Sequence, residues 1–318
     1  MFLTVILLLI GFLILIKGAD FLVNGASSIA KKFNISSIAI GLTVVAFGTS
    51  TPELLVSVTS SLKNFNAAAF GNIIGSNNFN ILFILGVAGL IYPLAVLRNT
   101  IRYEIPVSLA AVGVVYLLVN DTIFDSETSI LSRVDALVLL LLFGVFMLYV
   151  YKSISHSADV EENSIKTYSG WVSTLLITVG LCMLVGGGTL VVDNAITLAH
   201  YFNLSDKLIG LTILAIGTSL PELATSAVAA YRKNTDIAIG NVIGSNLFNL
   251  LFILPITAII RPLPYNNALN FDLLVLAAAT GLLIIFMFTL SARKLDRWEA
   301  LLLLAAYVAY TIYLIQID

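Results

Sequence analysis

The strongest constraint on this chain is that it carries one block of sequence twice. GLTVVAFGTSTPELLVS, beginning at Gly41, returns as GLTILAIGTSLPELATS at Gly210. GNIIGSNNFNILFIL, beginning at Gly71, returns as GNVIGSNLFNLLFIL at Gly240. Both copies lie 169 residues on, and Phe33-Asn34 matches Phe202-Asn203 at the same distance. No insertion or deletion separates the copies across this stretch, so two equivalent units are expected.

The surroundings of the block say where those units sit. Of 318 residues, 59% are hydrophobic and 11% charged, with a mean hydropathy of +1.02. A soluble domain carries about 25% charged residues. Apolar runs long enough to span a bilayer recur along the whole length. Ten segments are expected, at 2–30, 36–61, 67–91, 103–120, 133–151, 171–199, 206–230, 235–260, 270–290 and 297–315. The first run continues past Lys17 and Asp20 without a cleavage-type site, so it reads as a spanning helix and not a signal peptide. The fold expected is an all-α polytopic membrane protein.

Each motif recurs five spans later, and five is odd. The second copy is therefore expected upside down relative to the first, giving ten transmembrane helices as two inverted five-helix repeats. The repeats are assigned to 1–151 and 171–318, joined by a 152–170 linker. Loop charge gives an independent reading. One side would hold Lys31, Lys32, Arg98, Arg102, Lys152, Lys166, Arg232, Lys233, Arg293, Lys294 and Arg297, the other only Lys63, Arg133, Lys207 and Arg261. The excess of positive charge places the first set in the cytoplasm and both termini outside, in a multi-pass protein of the cell membrane. The linker KSISHSADVEENSIKTYS, with its solvated His156, reads as a surface connection.

An ionised carboxylate in a bilayer is costly unless it is paired or lines a wet cavity. Glu53 and Glu222 lie deep in apolar segments with no Lys or Arg nearby in the repeat. The motif supplies oxygens instead. On a helix, Thr49 and Ser50 share the face of Glu53, as Thr218 and Ser219 share that of Glu222. Pro52 and Pro221 remove a backbone donor and are expected to free the carbonyls around Ala46–Thr49 and Ala215–Thr218. The partner segment repeats Asn72, Ser76 and Asn80 as Asn241, Ser245 and Asn249, one polar stripe at helical spacing. Gly71, Gly75, Gly240 and Gly244 form small-residue ridges for close helix approach. Two carboxylates among hydroxyl, amide and carbonyl oxygens suit a hard cation such as calcium or sodium. They do not suit zinc or copper, since neither His nor Cys joins them. Elsewhere, Lys17 and Asp20 are placed to pair with each other, and Cys182 reads as a small buried hydrophobe. Gly186-Gly187-Gly188 reads as a flexible point in the sixth segment.

In GTSTPE with GNIIGSNNFN, and GTSLPE with GNVIGSNLFN, the sequence resembles the sodium/calcium exchangers of the calcium:cation antiporter superfamily, particularly the small prokaryotic ones. The resemblance implies that Glu53 and Glu222 ligate calcium, with Thr49 and Thr218 adding oxygens. It also implies that Ser50, Ser76, Asn80 and the Ala46 carbonyl line sodium sites with Ser219, Ser245, Asn249 and Ala215. The implied activity is alternating-access exchange of sodium for calcium, with spans 1 and 6 sliding against the rest. The partners are the two ions and the lipid bilayer, with no cofactor, and the chain is expected to work as a monomer. Many relatives carry Asp where this chain has Asn249, so the site holds about −2. One calcium neutralises that charge, two sodium ions also neutralise it, and three leave about +1. A proton/calcium antiporter is the alternative function. A channel is disfavoured by the duplication within one chain, and no nucleophile or metal motif supports an enzyme. The net charge of −2 offers nothing to a nucleic acid.

Overall fold

In the computed structural model the residues described are 2–33, 35–63, 66–120, 129–154, 167–201, 215–289 and 292–317. His156 and most of the linker, Lys166, Lys207, Phe202-Asn203 and the first part of the seventh expected segment lie outside them. Helices dominate because backbone N–H and C=O groups inside a bilayer have only each other as partners. They are α1 (Phe2–Phe33), α2 (Ser37–Thr49), α3 (Thr51–Leu62), α4 (Ala68–Ile91) and α5 (Thr100–Val119). Then come α6 (Arg133–Ile154), α7 (Gly170–Tyr201), α8 (Leu220–Tyr231, preceded by a turn at Ala215–Thr218), α9 (Thr235–Ile260), α10 (Asn270–Phe286) and α11 (Arg297–Ile317).

Eight helices among the described residues are long and apolar enough to cross a membrane, and the bent pair α2–α3 makes a ninth. The remaining expected segment, 206–230, is described only from Ala215. The bundle is polar at its centre and apolar outside. Glu53, Ser76, Asn80, Glu222, Ser245 and Asn249 are all buried, whereas Leu13, Leu141, Leu148 and Phe288 point outward. Hydrocarbon is the environment that suits such a surface.

Two tiny antiparallel ladders close the ends. β1 (Leu94–Ala95) pairs with β4 (Lys294–Leu295), and β2 (Ile130–Leu131) with β3 (Leu263–Pro264). Beside them, Arg133 donates to the carbonyl of Ile259 at 3.0 Å and Arg297 to that of Leu90 at 3.3 Å, each capping a helix C-terminus. The two carbonyls are 169 residues apart but the two arginines only 164, so the second half is shorter by five residues between these points. The β1–β4 end also gathers basic residues. Val96 donates to the Arg293 carbonyl, the Lys233 ammonium lies 5.8 Å from the Tyr92 ring, and Arg232 reaches Asp20 and Asn24. Trp171, Tyr231 and Trp298 are exposed among the helix termini there, as interfacial aromatic residues are.

Two sequence expectations are corrected here. Asp20 is paired with Arg232 and not with Lys17, because Lys17 is on the exposed face of α1 and Asp20 faces α8. Cys182 is exposed, since the α7 surface packed on α1 is the one that carries the glycines. The glycine triplet lies within the continuous helix α7. Gly187 serves close packing: a Cβ there would meet the Leu15 nitrogen of α1 at 3.0 Å and the Gly11 carbonyl at 3.1 Å. The Gly240–Gly244 ridge behaves as expected. A Cβ on Gly244 would sit 2.7 Å from the Ala46 Cβ and 2.8 Å from the Leu42 Cα. The positions that correspond by the 169-residue shift to the neighbours of Gly240 and Gly244 lie almost wholly outside the described residues.

Candidate cation site

Each copy of GTS-x-PE forms a bend. The chain is helical to Thr49, Ser50 leaves helical geometry (φ −82°, ψ 7°), and a new helix starts with Pro52 in its first turn, at 45° to the last. Ser219 does the same (φ −90°, ψ 8°) ahead of Pro221. Proline is tolerated there because first-turn N–H groups have no helical partner, and its ring keeps the preceding helix from running on. The glutamate then stands in the first turn of the new helix, where the dipole favours negative charge.

The bend corrects the expectation that Ser50 and Ser219 share a helix face with the glutamate of their own repeat. The Ser50 hydroxyl donates across the molecule to Glu222 Oε1 at 3.0 Å, and Ser219 donates to Glu53 Oε1 at 2.9 Å. Ser76 and Ser245 approach the same oxygens within their own repeats, at 3.5 and 3.3 Å. Each carboxylate is therefore held by one hydroxyl from each half.

The polar stripe divides by function. Asn72 donates to the Glu53 carbonyl at 3.2 Å and to Ser57 at 3.0 Å, and Asn241 does so to the Glu222 carbonyl and Ser226 at 3.2 and 2.9 Å. Their amide oxygens accept from Thr218 (3.2 Å) and Thr49 (3.0 Å) of the opposite half. Asn72 and Asn241 thus brace helices, while Ser76, Ser245, Asn80 and Asn249 line the centre. The Ala46 carbonyl is not freed by Pro52: it accepts the Ser50 N–H at 2.9 Å and lies 3.3 Å from the Thr49 hydroxyl. Pro52 deprives the Gly48 carbonyl of a donor instead. In the second copy the Ser219 N–H bonds to the Ile216 carbonyl at 3.1 Å.

Sequence reasoning passed over Asn77 and Asn246, although SN recurs at the 169-residue shift. Both are buried at the centre. Asn80 donates to the Asn246 amide oxygen at 3.0 Å and Asn249 to that of Asn77 at 2.8 Å. Asn77 and Asn246 donate to each other's backbone carbonyls at 3.3 and 3.4 Å.

Ten buried side-chain polar atoms among the described residues lack a hydrogen-bond partner, and four of them form two pairs related by the shift. These are Glu53 Oε2 with Glu222 Oε2, and Asn80 Oδ1 with Asn249 Oδ1. All four are acceptors. An orphaned buried acceptor costs about 1–3 kcal/mol and a charged one more, so duplicated orphans at one centre call for a positive partner. No three His, Cys, Asp or Glu side chains cluster among the described residues, so most oxygens available there are neutral. That donor set fits calcium or sodium.

Comparison with known proteins bears on the whole chain. The model of the family described as "Sodium/calcium exchanger protein" matches residues 3–152 and 172–316. Inner membrane protein YrbG of Escherichia coli is 37% identical over 271 residues, 82% of this chain and 81% of that one. Sodium/calcium exchanger MaX1 of Methanosarcina acetivorans is 31% identical over 98% of both chains. A solved structure of the sodium-calcium exchanger NCX_Mj, soaked with Na+ and Ca2+, matches with a TM-score of 0.84 at 34% identity, covering 98% of each chain.

Proposed function

The chain belongs to the sodium/calcium exchanger family, and from that premise we propose that it exchanges sodium for calcium by alternating access at the centre just described. The observation that carries this reading is the two pairs of partnerless acceptors, on Glu53 and Glu222 and on Asn80 and Asn249. Calcium takes six to eight oxygens, which the two carboxylates supply together with Thr49 and Thr218. Sodium ions replace it using Ser50, Ser76, Asn80, Ser219, Ser245, Asn249 and the carbonyls of Ala46 and Ala215. The Ala46 carbonyl joins only after releasing the bonds it now accepts. Competition follows from charge: two carboxylates near −2 are neutralised by one calcium or by two sodium ions, and holding both is repulsive.

The reading includes two inverted five-helix units, 1–151 and 171–318, with the 152–170 linker and the β1–β4 end in the cytoplasm and both termini outside. The paired hydrogen bonds support equivalence of the units, and the basic residues at one end support the orientation. α1 and α7, locked together at Gly11, Gly18, Gly180 and Gly187, move as one body against the rest. One polypeptide contains a complete site, so a monomer suffices.

Calcium uptake into proteoliposomes, driven by an outward sodium gradient with the voltage clamped, tests the reading. Uptake that follows a proton gradient and ignores sodium makes this a proton/calcium antiporter instead. If one net charge moves per cycle, each 100 mV contributes about 2.3 kcal/mol. Uptake independent of voltage would give two sodium ions per calcium, the ratio that leaves the site neutral.

A further inference from the structure

We propose that Asn77 and Asn246 are positioning residues, which turn the carboxamides of Asn249 and Asn80 so that oxygen, not nitrogen, is offered to the transported cations. The proposal rests on the central site described above and adds to it two residues that touch no ion. A carboxamide is two-faced: its oxygen attracts a cation and its NH2 group repels one, and half a turn about its last bond exchanges them. An asparagine at a cation site therefore needs something to hold its nitrogen away. Asn249 gives its NH2 to Asn77 Oδ1 at 2.8 Å, and Asn80 gives its own to Asn246 Oδ1 at 3.0 Å. The holders are held in turn, because Asn77 and Asn246 donate to each other's backbone carbonyls. All four amides are at most 1% exposed, so water does not compete for these bonds.

The atoms left over separate positioning from mere helix-to-helix adhesion. Polar side chains that only glue membrane helices together satisfy themselves. Here Asn77 and Asn246 have no orphaned side-chain atom, whereas Asn80 and Asn249 each have one, the oxygen, in both copies. Each bond also crosses between the halves, so the amide donor of one repeat is fixed by the other.

An aspartate at 80 or 249 would not need this help, since either of its oxygens accepts. That difference supplies the test, made with the full chain in sodium-loaded liposomes. Asn77→Ala and Asn246→Ala are expected to raise the half-saturating calcium or sodium concentration about tenfold, the size of one charge-assisted interaction, with the maximal rate little changed. In the Asn249→Asp background the Asn77→Ala penalty is expected to disappear, and Asn80→Asp should likewise absorb that of Asn246→Ala. Calcium-dependent gain in melting temperature of the purified protein makes the same comparison for variants that bind without transporting. Unchanged half-saturation in the alanine variants overturns the proposal. A penalty that persists undiminished in both aspartate backgrounds also overturns it, as does an alanine variant that fails to fold, because each marks the amides as structural. Glu53→Gln and Glu222→Gln distinguish the two levels of the argument. Full exchange in either brings down the site itself, whereas loss in both beside normal alanine variants brings down only the positioning role.

Discussion

At the centre of the molecule a shift of 169 residues turns the Ser50–Glu222 bond into Ser219–Glu53, Thr49–Asn241 into Thr218–Asn72, and Asn80–Asn246 into Asn249–Asn77. At the β1–β4 end the same shift carries strand β1 onto β3 and the Leu90 carbonyl onto that of Ile259, but it does not carry over the polar contacts of Arg232 and Asn234. Arg232 is gripped by Asp20 and Asn24, and the corresponding residues are Lys63, Thr189 and Asp193. Asn234 bonds to Ser27 at 3.0 Å, and its counterpart by number is Phe65. Under the alternating access proposed above, a site that faces two compartments in turn gains from being built twice. The contacts of Arg232 and Asn234 lie away from the shared centre, so the duplication does not require them to be alike.

The largest effects should come from the centre and should come in equal pairs. Glu53→Gln and Glu222→Gln each remove one of only two charges facing the cations, so calcium uptake is expected to fall to background in both. A variant that retained full uptake would break the equivalence of the halves. Ser50→Ala and Ser219→Ala each delete a donor to the opposite carboxylate, an interaction of about 1.5–3 kcal/mol, and are expected to weaken half-saturation by roughly ten- to a hundredfold. Similar losses in the two sharpen the comparison, while a large loss in one alone denies the cross-bonding.

Packing gives an intermediate effect. Gly244→Ala forces a methyl against the Ala46 Cβ and the Leu42 backbone, where neither side is a flexible chain end. Overpacking of this kind costs about 1–3 kcal/mol, read as a lower melting temperature in detergent. Asn249→Asp adds charge without adding volume and is expected to change sodium or voltage dependence. If both stay as they were, charge at this position does not govern coupling.

Much of the site was legible because duplication marks residues one by one: Glu53, Ser76 and Asn80 came with their copies, and each is buried at the centre. What one helix face cannot reveal is the partner on another helix. Thr49 and Ser50 share a face with Glu53 only if the helix continues, and the bend at Ser50 sends the serine to Glu222. Asn77 was missed for the same reason, since its partners Asn246 and Asn249 are 169 and 172 positions away. The fold shows the same limit. Spans follow from apolar length, whereas the Asp20–Arg232 pair depends on how α1 leans on α8, which no local pattern encodes.

That pair carries the smallest expected effect and the sharpest test of the asymmetry. The Arg232 and Asp20 side chains are 39% and 29% exposed, so their attraction is screened and worth about 0–1 kcal/mol. Arg232→Gln is expected to speed hydrogen exchange of the α1 residues that end at Phe33 by no more than about fivefold. Lys63→Gln, at the counterpart position, should leave that segment unchanged. Equal acceleration by both would mean that the two ends are coupled through α1 and α7 and that Arg232 has no special hold on α1. No change with Arg232→Gln would place that hold in the glycine seam between α1 and α7, where helix approach and not charge fixes the position.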